Sequence, residues 1–174
     1  MKMGLRVNVE GLRFRANGLR QLELPPMIDD PRLSFKIMRG QLTIGQFQQV
    51  MRGYEITGHN AYDLRLMLNV SGRSQAGDAL TYLSLLDQRA YAKEVRAQTG
   101  RQLRGMTNDE WNAVPDDIRA QMTGTNWFWT ETEITPGEGH FILRSLHDRG
   151  QFYTDPGTRG FYSAVRLVEN KKAA

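Results

Sequence analysis

Alternating apolar and polar residues near the start of the chain predict a β-hairpin. Apolar residues occupy every second position over residues 5–9 and again over residues 12–16, on either side of Glu10-Gly11. A period of two around a short link that contains glycine is typical of two paired strands with one buried face. Residues 24–32 hold three prolines, which cannot donate to a sheet, so they are predicted to form a connector. A further strand is predicted over residues 33–39.

Two capping-box patterns in the middle of the chain predict the starts of two short helices. In the first, the spacing of Thr43 and Gln46 predicts a helix that runs to Met51. Phe47, Val50 and Met51 would share its buried face.

The second capping box, Thr107 with Glu110, begins a helix that carries Trp111. Pro115 then forces a break or a new helical start. Between the two boxes, apolar residues recur every three or four positions over residues 74–95, with no proline before Gly100. This spacing predicts the longest helix of the chain.

Short β-like segments separated by glycine and proline fill the C-terminal part, over residues 126–132, 140–146 and 160–168. Strands, then helices, then strands indicate an α+β fold with an antiparallel sheet. In such a strand Trp127 and Trp129 share one face and Phe128 takes the other, and we expect the tryptophans to be core.

A chain of 174 residues with 40% hydrophobic and 24% charged residues fits one globular domain. We divide it into the hairpin (residues 1–23), the connector (24–32), a core (33–169) and a tail (170–174). No apolar run approaches the roughly 20 residues that cross a bilayer, and the N-terminus lacks a signal core. We therefore expect a cytoplasmic protein without a membrane partner.

The absence of cysteine excludes disulfides, zinc-thiolate sites and thiol nucleophiles. With only three histidines, we predict neither a metal site nor a cofactor. His140, His147 and Asp148 lie close in sequence, but no nucleophile accompanies them, so we expect solvated loop residues. The carboxylate pairs Asp29-Asp30 and Asp116-Asp117 have structural explanations, in a loop and at a helix N-terminus.

The net charge of +4 is located entirely in residues 1–20, which hold five basic side chains and one acidic. The arginines of this basic surface are Arg6, Arg13, Arg15 and Arg20. They could meet an acidic partner or simply form the solvent face of the hairpin. Nucleic-acid binding is disfavoured, because Phe14 is the only aromatic residue there.

Four segments, in order, resemble motifs of the formylglycine-generating enzyme family, also called sulfatase-modifying factors, whose fold is C-type-lectin-like. They are residues 41–47 (QLTIGQF), residues 68–71 with 78–82 (LNVS, DALTY), residues 99–111 (TGRQLRGMTNDEW) and residues 125–130 (TNWFWT). The ending echoes the family again in residues 141–144, 160–161 and 165–168. The resemblance implies a C-type-lectin-like core over about residues 33–169, with an added N-terminal hairpin.

The departures from the family pattern imply a degenerate member that is not an enzyme. Catalytic members bind copper through a cysteine pair near the C-terminus, and this chain has no cysteine. Phe128 stands where the family has a calcium-binding carboxylate, so the calcium site is not carried over. Residues 145–148 replace the family's Gly-Gly-Ser-Trp stretch.

The connection over residues 144–155 mixes arginines, aromatics and turn formers, a composition that protein interfaces favour. The predicted partner-binding residues are Arg144, His147, Arg149, Phe152 and Tyr153. The resemblance points to the same region, because C-type-lectin-like folds generally recognise partners through this end of the chain. We therefore expect a binding or assembly module for another protein.

Two alternatives stay open. One is an enzyme with unrecognised, cysteine-independent chemistry. The other is a ligand-display protein of related fold that a retroelement diversifies, which would show a hypervariable C-terminal stretch among sibling copies.

Overall fold

The computed structural model describes residues 22–70, 78–124, 127–147, 150–160 and 163–171. Residues 1–21 of the predicted N-terminal hairpin, with Arg6, Arg13, Arg15 and Arg20, lie outside the described residues. The helices within them are α1 (Ile44–Val50), α2 (Ala61–Val70), α3 (Leu85–Thr99), α4 (Asn108–Ala113) and α5 (Asp116–Arg119).

The strands form two sheets of four among the described residues. They are β1 (Met27–Ile28), β2 (Phe35–Met38), β3 (Leu103–Gly105), β4 (Trp127–Glu133), β5 (Phe141–Ser145), β6 (Gln151–Thr154), β7 (Ser163–Ala164) and β8 (Leu167–Asn170). The strand order is β1-β2-β8-β3 in the first sheet and β6-β5-β4-β7 in the second. Neighbouring strands are antiparallel except β4 and β7. The chain is therefore a mixed α and β structure with two sheets, in agreement with the predicted α+β class.

Local capping chemistry sets the starts of α1 and α4, as predicted. Thr43 and Gln46 form a complete capping box before α1, and Thr107 and Glu110 form another before α4. The side-chain oxygen at the cap accepts a backbone N–H that has no partner inside the helix. Pro115 precedes a new helix, α5, whose first turn carries two aspartates.

The prediction of one long helix from residue 74 is wrong over residues 78–84, and residues 71–77 lie outside the described part of the chain. A third capping box, Ser84 with Asp87, begins the helix at Leu85. Leu80 and Leu83 are buried at helical spacing, yet they lie in chain that is not helical. Leu86, placed on the buried face by the spacing, is 49% exposed.

Other segments also depart from the expected pattern. The sequence pattern does not predict α2, because the exposed Tyr62 and Leu66 put apolar residues on both of its faces. The segment 160–168, predicted as one strand, contributes β7 to the second sheet and β8 to the first. The expected connection over residues 144–155 is largely a hairpin made by the end of β5 and by β6.

The core has three parts. The first lies between α1, α2, α3 and the first sheet, and includes Phe47, Leu64 and Tyr91. The second lies around α4, where Trp111 meets Phe128 edge-on at 4.8 Å between ring centroids. The third is a small cluster in which Leu85, Trp129 and Leu143 are buried together.

No helix of the described residues is long and apolar enough to pass through a bilayer.

A buried ion pair joins α3 to the loop before β7. Arg159 donates from Nε and Nη2 to the two carboxylate oxygens of Asp87, each at 2.8 Å. The Arg159 side chain is 4% exposed, and that of Asp87 is fully buried. The remaining guanidinium nitrogen, Nη1, donates to the carbonyls of Thr57 and His59. One pair thus ties together three segments that are distant in sequence.

We expect Arg159→Met to lower the free energy of unfolding by about 3–5 kcal/mol, because it leaves the Asp87 carboxylate buried without its counter-charge. Urea unfolding followed by circular dichroism measures the loss. The matched control is Arg101→Met, which removes a partly exposed ion pair with Glu169 and should cost about 1 kcal/mol or less. Equal losses in the two variants would contradict this role of the buried pair.

Candidate functional site

The register of the second sheet puts an aromatic ladder on one of its faces. Trp129 pairs with Leu143, and Leu143 pairs in turn with Phe152. Directly paired residues in a sheet share a face, and so do residues two apart on one strand. Trp127 therefore lies on the same face as this ladder, as the sequence predicted for the two tryptophans.

A cavity of about 310 Å³ opens on this face. Its lining residues are Trp127, Trp129, Leu143, Phe152, Thr154, Thr158, Gly160 and Ser163. They are aromatic, aliphatic, hydroxyl-bearing or glycine, and none of them is charged. We call this cavity, with the exposed side chain of Phe152 beside it, the aromatic groove.

Trp129 forms the fixed part of the aromatic groove. Its side chain is fully buried, and its indole Nε1 donates to the carbonyl of Leu83 at 2.7 Å. This bond links the groove to the residue that precedes the cap of α3. Trp127 is only half-buried and packs against the same cluster. Of the two indoles, the one that is open to solvent is therefore that of Trp127.

The loop over residues 155–160 forms the opposite wall. Thr154 at the end of β6 donates its hydroxyl to that of Thr158 at 3.0 Å. At the far end, the Ser163 hydroxyl donates to the Gly160 carbonyl at 2.8 Å and accepts the Gly160 N–H. Because Arg159 is held by the buried ion pair with Asp87, this wall has a fixed position.

A second cavity, of about 440 Å³, lies on the other side of this loop and shares Thr158 with the first. Tyr54 lies in its lining and donates its hydroxyl to Asp87 at 3.0 Å. Burial, reinforced by the negative charge of Asp87, raises the pKa of Tyr54 to about 12. Tyr54 therefore remains a neutral hydrogen-bond donor at physiological pH.

The predicted partner-binding residues separate in the structure. Phe152 and Tyr153 are exposed, by 57% and 45%, on opposite faces of β6. His147 is exposed, Arg149 lies outside the described residues, and Arg144 is buried.

The burial of Arg144 has a structural reason. It donates to the side chains of Gln151, at 2.9 Å, and Asn112, at 3.0 Å, on the face of the sheet that carries α4. Gln151 donates in turn to the Tyr153 hydroxyl. Arg144 therefore supports β6 from beneath and is not itself a contact surface.

The other titratable candidates are placed apart or are already paired. His140 is exposed at the end of the loop before β5, and Asp148 lies outside the described residues. Asp29 forms ion pairs with Lys36 and Lys171. Among the described residues, no group of three or more histidine, aspartate or glutamate side chains is arranged to hold a metal ion.

Sequence reasoning missed Thr154, Thr158, Gly160 and Ser163 as lining residues. Thr154 lies two residues after Phe152 on β6, so the two side chains share a face. A correct prediction of this strand would therefore have placed Thr154 beside Phe152. The other three come to the site through the loop and through the pairing of Ser163 with Trp127, which no local pattern reveals.

Comparison with solved proteins places the fold. The crystal structure of CarF is similar to this chain with a TM-score of 0.56 and 15% sequence identity, over 79% of this chain and 87% of CarF. Treponema denticola variable protein 1 aligns with a TM-score of 0.49 and 9% identity, over 79% of this chain and 84% of that protein. No protein-family model matches the sequence, and no curated protein matches it. The chain therefore has a fold related to that of CarF, and membership of the formylglycine-generating enzyme family stays a prediction.

We expect Trp129→Ala to destabilise the protein by about 3–5 kcal/mol, because it removes a buried ring and leaves the Leu83 carbonyl without its donor. Trp127→Ala should cost clearly less, since that side chain is only partly buried. Thermal melting of both variants measures the difference. Equal shifts in melting temperature would show that the two tryptophans are equivalent core residues.

Proposed function

We propose that the protein is a non-catalytic binding module that takes another protein at the aromatic groove. The observation that carries this proposal is an apolar cavity that opens beside the exposed side chain of Phe152 on β6. Large exposed apolar side chains next to a concave apolar surface are characteristic of binding sites. Rigid aromatics also contribute most of the energy in many protein interfaces.

The polar groups of the aromatic groove favour binding over chemistry. A hydroxyl nucleophile needs a general base within hydrogen-bond reach. The hydroxyls of Thr154 and Thr158 bond to each other, and that of Ser163 bonds to backbone. They are suited to orient a ligand or to hold the loop in place.

The ligand-display alternative concerns the same C-terminal part of the chain. It stays a prediction, and the sequences of sibling copies test it, because variation would then concentrate on exposed positions such as Phe152 and Tyr153.

We expect the double variant Phe152→Ser/Tyr153→Ser to fold normally and to bind the native partner at least about tenfold more weakly. The partner is the protein that co-purifies with the wild type from the native host, identified by mass spectrometry and then produced separately. Titration calorimetry measures the affinity, and circular dichroism checks the fold.

The matched control is Tyr62→Ser/Leu66→Ser, which removes two exposed apolar side chains from α2, far in sequence from the aromatic groove. This variant should bind as the wild type does. A second comparison is Arg13→Glu/Arg15→Glu in the basic segment. If that variant loses binding while the Phe152/Tyr153 variant keeps it, the basic surface is the functional one and the proposal is wrong.

We also expect the protein neither to retain copper nor to convert a peptide cysteine to formylglycine, since it has no thiolate to ligate the metal. Metal analysis after dialysis and mass spectrometry of a cysteine-containing peptide measure the two properties. Stoichiometric copper, or the aldehyde product, would contradict the non-catalytic assignment.

A further inference from the structure

β6 is the edge strand of the second sheet, and one row of its main-chain groups faces outward. Ser145 donates its N–H to the Gly150 carbonyl at 3.0 Å, which fixes these two residues as a hydrogen-bonded pair. Hydrogen-bonded and non-bonded pairs alternate along an antiparallel ladder. In the β5–β6 register, Leu143 with Phe152 is then the next bonded pair.

The same alternation leaves the N–H and C=O groups of Gln151 and Tyr153 pointing away from β5. Among the described residues, no strand lies beyond β6 and no main-chain partner meets these groups. They form an open set of donors and acceptors along the edge.

Apart from its short length, this edge lacks the devices that usually prevent pairing with another chain. Natural edge strands are protected by charged side chains, prolines or bulges. The strand Gln151–Thr154 (QFYT) contains no charge and no proline, and its pairing with β5 runs without a register shift. Its residues also favour extended structure, apart from Gln151.

Exposed aromatic side chains flank the edge on both faces of the sheet. Phe152 lies on the face of the cavity, and Tyr153 lies on the face that carries α4. A ligand that contacts both side chains must therefore pass along the edge of β6 between them.

We propose that β6 receives a short extended peptide segment of the partner as an added strand, and this inference rests on the function proposed above. Four residues span only about 13 Å of strand, whereas a stable protein dimer needs about 800 Å² buried on each partner. The edge is thus too short to hold two folded copies together by itself, and it fits a linear segment. Strand addition of this kind takes its affinity from main-chain hydrogen bonds and its specificity from alternate side chains.

The geometry also defines the side-chain preference. A strand added beside β6 lies about 4.8 Å from it, and the residue next to Phe152 shares its face. That residue would lie at the mouth of the cavity, whose lining carries no charge. The segment should therefore carry a bulky apolar side chain at this position.

The test uses random linear peptides displayed on phage, selected on the whole protein, with the enriched peptide then synthesised as the probe. The informative variant is Gln151→Pro, which removes an outward N–H that no strand of the sheet uses. Proline is tolerated at such a position of an edge strand. Its control is Gln151→Ala, which loses the same side-chain bond to Arg144 but keeps the N–H. We expect Gln151→Pro to bind the probe at least about tenfold more weakly than Gln151→Ala.

A second measurement needs no protein variant. Methylation of each backbone nitrogen of the probe in turn should weaken binding at alternate positions, because every second N–H of an added strand faces its neighbour. Equal binding of the probe by the two Gln151 variants would overturn strand addition. So would a loss of affinity on methylation that does not alternate along the probe.

The outcomes separate this inference from the proposed function. If the Gln151 and methylation tests contradict strand addition but Phe152→Ser still weakens binding of the probe, the groove binds peptides in another way. The proposed function then stands. If Phe152→Ser binds the probe normally, the proposed function fails. Self-association of the wild type that Gln151→Pro abolishes would identify a second copy as the occupant, and a selection that enriches no peptide would equally overturn the peptide proposal.

Discussion

The ion pair between Asp87 and Arg159 joins the start of α3 to the loop that forms one wall of the aromatic groove. Asp87 also completes the capping box of α3, so one carboxylate both starts the longest described helix and holds the loop before β7. A buried pair of charges is costly to desolvate, and it persists where further hydrogen bonds satisfy both partners. Here Tyr54, Ser84 and two backbone carbonyls supply those bonds. The same pair of charges therefore holds both the wall of the cavity and the start of α3.

Successive side chains of β4 point to opposite faces of the second sheet and pack in two different core clusters. Phe128 points towards Trp111 and the second core cluster, whereas Trp129 points towards Leu85 and the floor of the cavity. Because both of these side chains are buried, β4 is covered on each face and cannot slip by one residue without exposing a large ring. The aromatic groove is built on this fixed strand, with the exposed β6 two strands away from it.

Features of the structure that arise from neighbouring residues could be predicted, and those that arise from distant pairing could not. The caps at Thr43 and Thr107 are visible in the sequence because donor and acceptor are three residues apart. The apolar spacing predicts a start of α3 that is too early, because Leu80 and Leu83 are buried by tertiary contacts. Their spacing matches that of a helix although the chain there is not helical. The Leu80 N–H donates to the Leu42 carbonyl, and that of Leu83 donates to the Ser163 carbonyl.

The candidate site shows the same division. Phe152, Tyr153 and the shared face of the two tryptophans follow from composition and strand parity. Arg144 was misplaced because its partners Asn112 and Gln151 come from separate elements, and no local pattern distinguishes a buried arginine from an exposed one. The pairing of Asp87 with Arg159 spans 72 residues and leaves no trace in the sequence of either segment.

If β6 binds a partner as proposed, its exposure allows changes in binding that leave folding unaffected. Phe152 and Tyr153 contribute little to the buried core, so their replacement costs little stability, while Trp129, Leu143 and the buried ion pair hold the scaffold beneath them. Substitutions at the edge can then be sampled freely without falling below the narrow margin by which a domain stays folded. Under the proposed function, a lineage carrying this fold would be able to change its binding partner and keep the same architecture.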